Sequence, residues 1–361
     1  MNKKNIGFVS YWGFGRGQSY VTLSYTRMIK NTHNVFVLKQ GTNDIDNDFK
    51  YDDIHVTEYP EYHIKEDDFI KWITDNKLDA VIFNEYMQWE QEFNPLLDVC
   101  RQYKVKCFYY MVLEQLRDKD LYADYDRLIA PTKTFMNHLR KHKLRKFSYL
   151  PYSVDLTEYP VSYPPREPFI FYHPGGWGGV HSRKNTDVVI EAFKMLRDEL
   201  KKDNSDFKVK LVITSQKNEL ETDPDDDIEV VCKNMPKEEL NTYYQNCHVV
   251  LLPSKWESLG IPFIEALASG KPVIGPDCDP MNEMVVANVN GLVCSVTKEY
   301  YPDICLPGNL ISATELKNKM YLILNNELYS ILSKNARIDA EQRFDLTKNQ
   351  KYWAEFIDKY V

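Results

Sequence analysis

Two blocks of alternating apolar strand and helix patterns, separated by a cluster of prolines, constrain this chain more than any other feature. The first block begins at Ile6 to Ser10, a short apolar run that enters a glycine-rich turn, Gly13-Phe14-Gly15-Arg16-Gly17. A helical pattern over 19–29 and a strand pattern over 34–38 follow. Further helical patterns at 69–76, 94–103 and 133–142 alternate with strand patterns at 80–83, 106–112 and 128–130. Strand–helix–strand order of this kind is the grammar of a parallel sheet covered by helices. Pro151, Pro160, Pro164, Pro165 and Pro168 then stiffen the chain and block regular structure, so this stretch reads as a linker. The alternation resumes with strands at 169–172, 208–214, 228–231, 249–252 and 272–274. Helices are expected at 187–200, 237–245 and near 262–269. The expected architecture is α/β, with two Rossmann-like, doubly wound domains facing a central cleft. Open parallel sheets bind ligands at the carboxyl ends of their strands, so loops of both halves are expected at that cleft.

A chain of 361 residues has room for two such domains. The 45 Lys and Arg against 53 Asp and Glu leave a net charge of −8, which argues against broad phosphate-backbone binding and a nucleic-acid partner. The seven Cys are scattered, with no C-x-x-C pair, which fits a reducing compartment and small core residues. No apolar run approaches the ~18 residues that span a bilayer, and Ile6 to Ser10 is too short for a signal-peptide core. A cytoplasmic protein is therefore expected.

The chemistry concentrates in Leu251 to Glu283, LLPSKWESLGIPFIEALASGKPVIGPDCDPMNE. A buried strand ends at Pro253-Ser254, a loop carries Glu257-Ser258-Leu259-Gly260, and a helix begins with Pro262 expected at its first position, where a missing N–H costs nothing. The free N–H groups and positive end of that helix suit an anion such as a pyrophosphate. Gly260 permits close approach of the backbone to a ligand. Glu265, about one turn into the helix, is placed to reach a diol such as a ribose, and Glu257 to face the far end of the same ligand. Gly270 suits the residue just past the helix end. The plain alternative is a pair of surface glutamates around a core-packing helix.

Glu257 and Glu265 are separated by seven residues inside P-S-x-x-E-S-x-G-x-P-x-x-E-A-x-A-x-G-x-P-V-I. This closely resembles the E-x7-E signature of the retaining glycosyltransferases of family four, the group 1 glycosyl transferases, which have the GT-B fold. Weaker similarities cover most of the chain. Leu150-Pro151-Tyr152-Ser153-Val154-Asp155 resembles the family's interdomain P-x-G-V-D element, with Ser153 for the usual Gly. Glu238-Glu239-Leu240 and Tyr243-Tyr244 resemble the segment before the signature, Asn290 to Val293 the segment after it, and Phe344 to Tyr360 the terminal helix that crosses back. The resemblance implies an acceptor domain at 1–152 completed by a helix at 345–361, and a nucleotide-sugar domain at 165–344. It implies that Glu265 binds the ribose, that Glu257 holds hydroxyls of the transferred sugar as the catalytic glutamate, and that Ser258, Leu259, Gly260 and Ile261 touch sugar and phosphates.

A second candidate site is the stretch from His173 to Asp187, HPGGWGGVHSRKNTD. Its glycines, Gly175 and Gly176 among them, let amides turn towards an anion, and Arg183 and Lys184 can neutralise phosphate charge. Members of the family usually carry a basic pair here. Lys184 fits the second position, and Arg183 stands in for the first, which is not an Arg in this chain. A flexible surface turn is the alternative. In the first half, Gly15 and Arg16 occupy the place of the family's glycine loop. Glu114 lies in the stretch where the family often has a His. The G-x-G-x-x-G spacing of a dinucleotide oxidoreductase is absent.

Asp277-Cys278-Asp279 invites a metal reading, since GT-A glycosyltransferases use such a triplet, but it sits where this family has a loop. No cofactor and no divalent metal are expected. Arg140, Lys141, Lys143, Arg145 and Lys146 form a basic stretch, read as a solvated face or as a peripheral contact with anionic lipid. The expected partners are a nucleotide-sugar donor and a glycan or lipid acceptor. A GT-B nucleotide-sugar epimerase and a non-catalytic nucleotide- or glycan-binding relative remain as alternatives.

Overall fold

The computed structural model describes residues 3–13, 17–41, 54–84, 95–110, 112, 122–176, 183–203, 205–216, 227–300 and 307–361. The chain divides into two compact units, Met1–Ser153 with Leu346–Val361, and Val154–Asp345. Gly15, Arg16 and Glu114 lie outside the described residues.

The first unit is built from β1 (Asn5–Ser10), α1 (Gly17–Ile29), β2 (Asn34–Gln40), β3 (His55–Tyr59), α2 (Glu66–Asp75), β4 (Ala80–Asn84), α3 (Leu96–Gln102), β5 (Lys106–Tyr110), β6 (Arg127–Ala130), α4 (Lys133–Lys141) and β7 (Phe147–Tyr149). Its strands form one parallel sheet in the order β3-β2-β1-β4-β5-β6-β7. The central strands are apolar on both faces because helices cover both. All five residues of β4 are buried. β3 and β7 were not expected from the sequence. The pattern of β3 is almost wholly exposed and that of β7 half-buried, as suits edge strands, so neither shows a continuous apolar run.

The second unit holds β8 (Phe169–Gly176), α5 (Thr186–Lys202), β9 (Val209–Ser215), β10 (Ile228–Cys232), α6 (Lys237–Asn246), β11 (Val249–Leu251), α7 (Ile261–Ala268), β12 (Val273–Pro276), α8 (Met281–Met284) and β13 (Gly291–Cys294). A hairpin of β14 (Lys298–Tyr300) and β15 (Gly308–Leu310) follows, then α9 (Ala313–Leu322) and α10 (Asn326–Arg343). The parallel sheet runs β10-β9-β8-β11-β12-β13. Phe169, Phe171, Leu211, Ile213 and Ile274 pack its core against Val189, Phe193 and Leu196 of α5 and Leu316 and Met320 of α9. Both sheets are doubly wound. Strand order reverses between β1 and β4 in the first unit and between β8 and β11 in the second, and at such a point the loops beyond the strand ends diverge and leave room for a ligand.

The proline-rich stretch is not a bare linker. From Val154 onward it belongs to the second unit, Tyr159 is buried, and Leu156–Glu158 form a short 3₁₀ turn. The last helix, α11 (Leu346–Tyr360), returns to the first unit and packs on α1. Its Trp353, 1% exposed, sits 4.8 Å from the Tyr25 ring and 6.4 Å from Phe8, while Phe356 meets Phe108 edge-on at 4.7 Å. The six described cysteines are free thiols, four of them buried, and Cys305 lies outside the described residues. Among the described residues no helix is long and apolar enough to cross a membrane.

Trp353 fills the centre of this aromatic cluster, so Trp353→Ala is expected to lower the stability of the first unit by about 3–5 kcal/mol. Urea unfolding followed by circular dichroism measures it, and a loss within about 0.5 kcal/mol, as at a surface position, would contradict the packing.

Candidate active site at the switch point of the second sheet

The loops after β8 and β11 leave adjacent strands and are pinned to each other by hydrogen bonds to main-chain carbonyls. The Lys255 amide donates to the Arg183 carbonyl at 2.7 Å, and the Asn185 side-chain amide donates to the Pro253 carbonyl at 3.0 Å. At the end of β8 the chain turns at Gly176, φ 64°, a left-handed conformation that favours glycine. The site residues of both loops therefore converge although they are about 70 positions apart.

The centre is Glu257. Its Oε1 accepts from the Lys184 ammonium at 2.6 Å and from the Ser254 hydroxyl at 2.8 Å. Its Oε2 lies 2.5 Å from the Arg183 guanidinium. Glu257 is only 3% exposed and Lys184 6%. The Arg183 guanidinium also lies over the Trp256 ring, 4.9 Å from its centre, and donates to the Trp256 carbonyl at 3.2 Å. Burial would raise the Glu257 carboxyl, but the charges of Arg183 and Lys184 outweigh it and hold the group at about 2. Burial pulls the Lys184 ammonium below the ordinary lysine value against the pull of Glu257, with Arg183 adding to the lowering.

His173, buried within β8 three residues before its end at Gly176, ties this arrangement together. Its Nδ1 meets the Leu251 carbonyl at 2.8 Å and its Nε2 the Thr186 hydroxyl at 2.9 Å. Burial pushes the imidazole down to about 4, so the ring is neutral at pH 7. In that state Nδ1–H donates to the carbonyl and Nε2 accepts from Thr186. One ring thus joins the start of α5, next to Lys184, to the strand that leads to Glu257.

After Glu257 the chain passes Ser258 and Leu259, both buried, to Gly260. Gly260 has φ 72°, and a Cβ there would come within 3.1 Å of the Phe263 ring. The helix α7 starts at Ile261, one residue earlier than expected, so Pro262 stands second and not first. Its C-terminal end follows the expectation, with Gly270 at φ 69° just past the cap. Glu265 does not join the Glu257 cluster. It lies in a separate buried group, accepting from the Tyr244 hydroxyl at 3.0 Å, the Tyr159 hydroxyl at 3.4 Å and the Lys237 ammonium. Burial, reinforced by Glu265, pushes the Tyr244 hydroxyl well above its usual range.

The structure therefore brings together Arg183, Lys184 and Glu257, with Gly175 and Gly176 at the end of the neighbouring strand. Neither glutamate is a surface residue. Asp277 and Asp279 are exposed, and among the described residues no three His, Cys, Asp or Glu side chains gather as metal ligands. Sequence reasoning placed His173 in the candidate stretch without a role, and missed Ser254, Lys237, Tyr159 and Tyr244 as members of the site. The Pro-Ser pair before the loop was a signal for Ser254.

Residues 177–300 match the family described as "Glycosyl transferases group 1". A curated relative, an uncharacterized glycosyltransferase of Haemophilus influenzae, is 24% identical over 172 residues, 45% of this chain and 43% of that protein. The match thus spans less than half of that relative's length. Among solved structures, the sucrose-phosphate synthase of Thermosynechococcus elongatus superposes with a TM-score of 0.74 at 16% identity, covering 99% of both chains. Anabaena Alr3699/HepE, in complex with UDP and glucose, superposes with a TM-score of 0.69 at 15% identity, covering 98% of this chain and 99% of that one. The chain has the GT-B fold.

The depressed Glu257 carboxyl carries a pH signature. A group whose folded value lies below its unfolded value stabilises the protein above the unfolded value, and the gain disappears as pH falls through the folded one. Glu257→Gln is therefore expected to cost about 3 kcal/mol at neutral pH. The gap to wild type should close between about pH 4.5 and 2. Urea titrations at several pH values measure it, and a gap unchanged in acid would refute the ionised, paired carboxylate.

Proposed function

We propose that this protein is a retaining glycosyltransferase that moves a sugar from a nucleotide-sugar to a hydroxyl of a glycan, lipid or other acceptor. The observation that carries the reading is the meeting of Arg183 and Lys184 on the Glu257 carboxylate at the switch point of the second sheet. Family resemblance and the UDP-bound neighbour add to it. The difficult step is loss of a nucleoside diphosphate from the anomeric carbon, with negative charge gathering on the phosphates and positive charge on the sugar. In this reading Arg183, Lys184, the amides of Ser258 to Ile261 and the positive end of α7 stabilise the departing diphosphate. Gly175 and Gly176 let the backbone of the neighbouring loop approach it. Glu257, held ionised, is a weak base, and its role is to fix sugar hydroxyls and to stabilise the positive charge on the ring. Glu265 receives the ribose diol. The clamp supplies the charge that a divalent ion supplies elsewhere, so turnover is expected to persist in excess EDTA.

The first unit offers one more partner surface. No acidic residue occurs between Asp126 and Asp155, while Lys133, Arg140, Lys141, Lys143, Arg145 and Lys146 are exposed there. Such a stretch suits peripheral contact with anionic head groups, and sedimentation with anionic against zwitterionic vesicles checks it.

A thermal-shift series of nucleoside diphosphates and their sugars tests the donor reading. A ligand at a hundred times its Kd adds about 2.7 kcal/mol. A charge-assisted hydrogen bond contributes about 1.5–3 kcal/mol, so Lys184→Ala should weaken diphosphate binding about ten- to 150-fold and leave the free nucleoside nearly unchanged. Equal losses for both ligands, or none, would overturn the assignment.

A further inference from the structure

The cations at the switch point already share one carboxylate. Arg183 and Lys184 bring two positive charges and Glu257 one negative, all within 2.6 Å contacts. Both cations of the clamp thus already hold an anion, and that anion belongs to the chain. A carboxylate has about four acceptor positions; Arg183, Lys184 and Ser254 take three of those of Glu257. Burial makes this pairing necessary. A lysine 6% exposed cannot keep its charge without a partner.

We propose that Glu257 is the internal counter-anion of the clamp. Its carboxylate occupies Arg183 and Lys184 in the ligand-free protein, and phosphate oxygens must displace it. The inference rests on the donor reading above and adds a coupling to it. Only when a diphosphate has taken the two cations do the acceptor positions that Arg183 and Lys184 hold on Glu257 become free for sugar hydroxyls. The glutamate is thereby made ready by the binding of the leaving group it assists, and a ligand without phosphates leaves it tied up.

Inorganic pyrophosphate is the probe, because it fills the clamp without requiring a known base or sugar. Calorimetry at constant ionic strength compares wild type, Glu257→Gln, Lys184→Ala and the double variant. The net charges of the trio are then +1, +2, 0 and +1. Glu257→Gln is expected to bind pyrophosphate about tenfold tighter, Lys184→Ala more weakly, and the double variant close to wild type although the clamp lysine is gone. Circular dichroism verifies that each variant is folded. Should Glu257→Gln not fold, the double variant decides, since it leaves no lysine buried without a partner. Unchanged or weaker binding by folded Glu257→Gln, or a double variant as weak as Lys184→Ala, overturns the counter-anion. Pyrophosphate binding by none of the four overturns the donor reading along with it.

Discussion

The second unit is organised around a buried carboxylate and a buried ammonium that burial permits only together, with the half-buried Arg183 guanidinium beside them. A buried carboxylate or ammonium alone costs far more than a surface ion pair returns, and one partner removed leaves the other stranded. Arg183, Lys184 and Glu257 meet because two loops are laid side by side where strand order reverses between β8 and β11. Much of the local architecture serves that meeting. The Lys255 amide and the Asn185 side chain fasten the loops to each other, and His173 fastens the first turn of α5 to β11. A rigid frame keeps the cations from reorganising when charge builds on a ligand, which is the main source of electrostatic rate enhancement in such sites.

The second carboxylate follows a different logic. Glu265 is held by two tyrosine hydroxyls and a lysine, so hydroxyl donors already surround it. A ribose offers the same kind of group as the tyrosines. Tyr159 comes from the proline-rich stretch and Tyr244 from α6, so this group joins the entrance of the unit to its interior. Arg337 of α10 extends the join, donating to the carbonyls of Tyr159 and Ala268 at 2.8 and 2.6 Å.

What the sequence made legible was local. Glu257, Gly260, Glu265 and Gly270 fall within one strand–loop–helix segment, and their spacing alone carries their relation to the helix start. The alternation of apolar runs and helical patterns likewise marked the two sheets, because parallel strands covered on both faces are nearly continuous in apolar residues. Contacts between distant segments were illegible. Nothing in the spacing of Lys184 and Glu257 says that they touch across 73 positions, or that Tyr159 leaves the proline cluster to meet Glu265. The edge strands β3 and β7 escaped for a related reason, since a strand exposed on one side has no need of the apolar run by which the others were found.

The division of the chain has a consequence for how it is made. The first unit owns the first 153 residues and the last helix, with the whole second unit encoded between them. As the chain emerges from the ribosome, the face of α1 that bears Tyr25 stays uncovered until Trp353, 328 residues later (353 minus 25), has been made. Domains generally fold as units during synthesis, the N-terminal one first. Here the N-terminal unit cannot finish first, and the interval during which its aromatic face is exposed includes the time needed to translate the entire second unit.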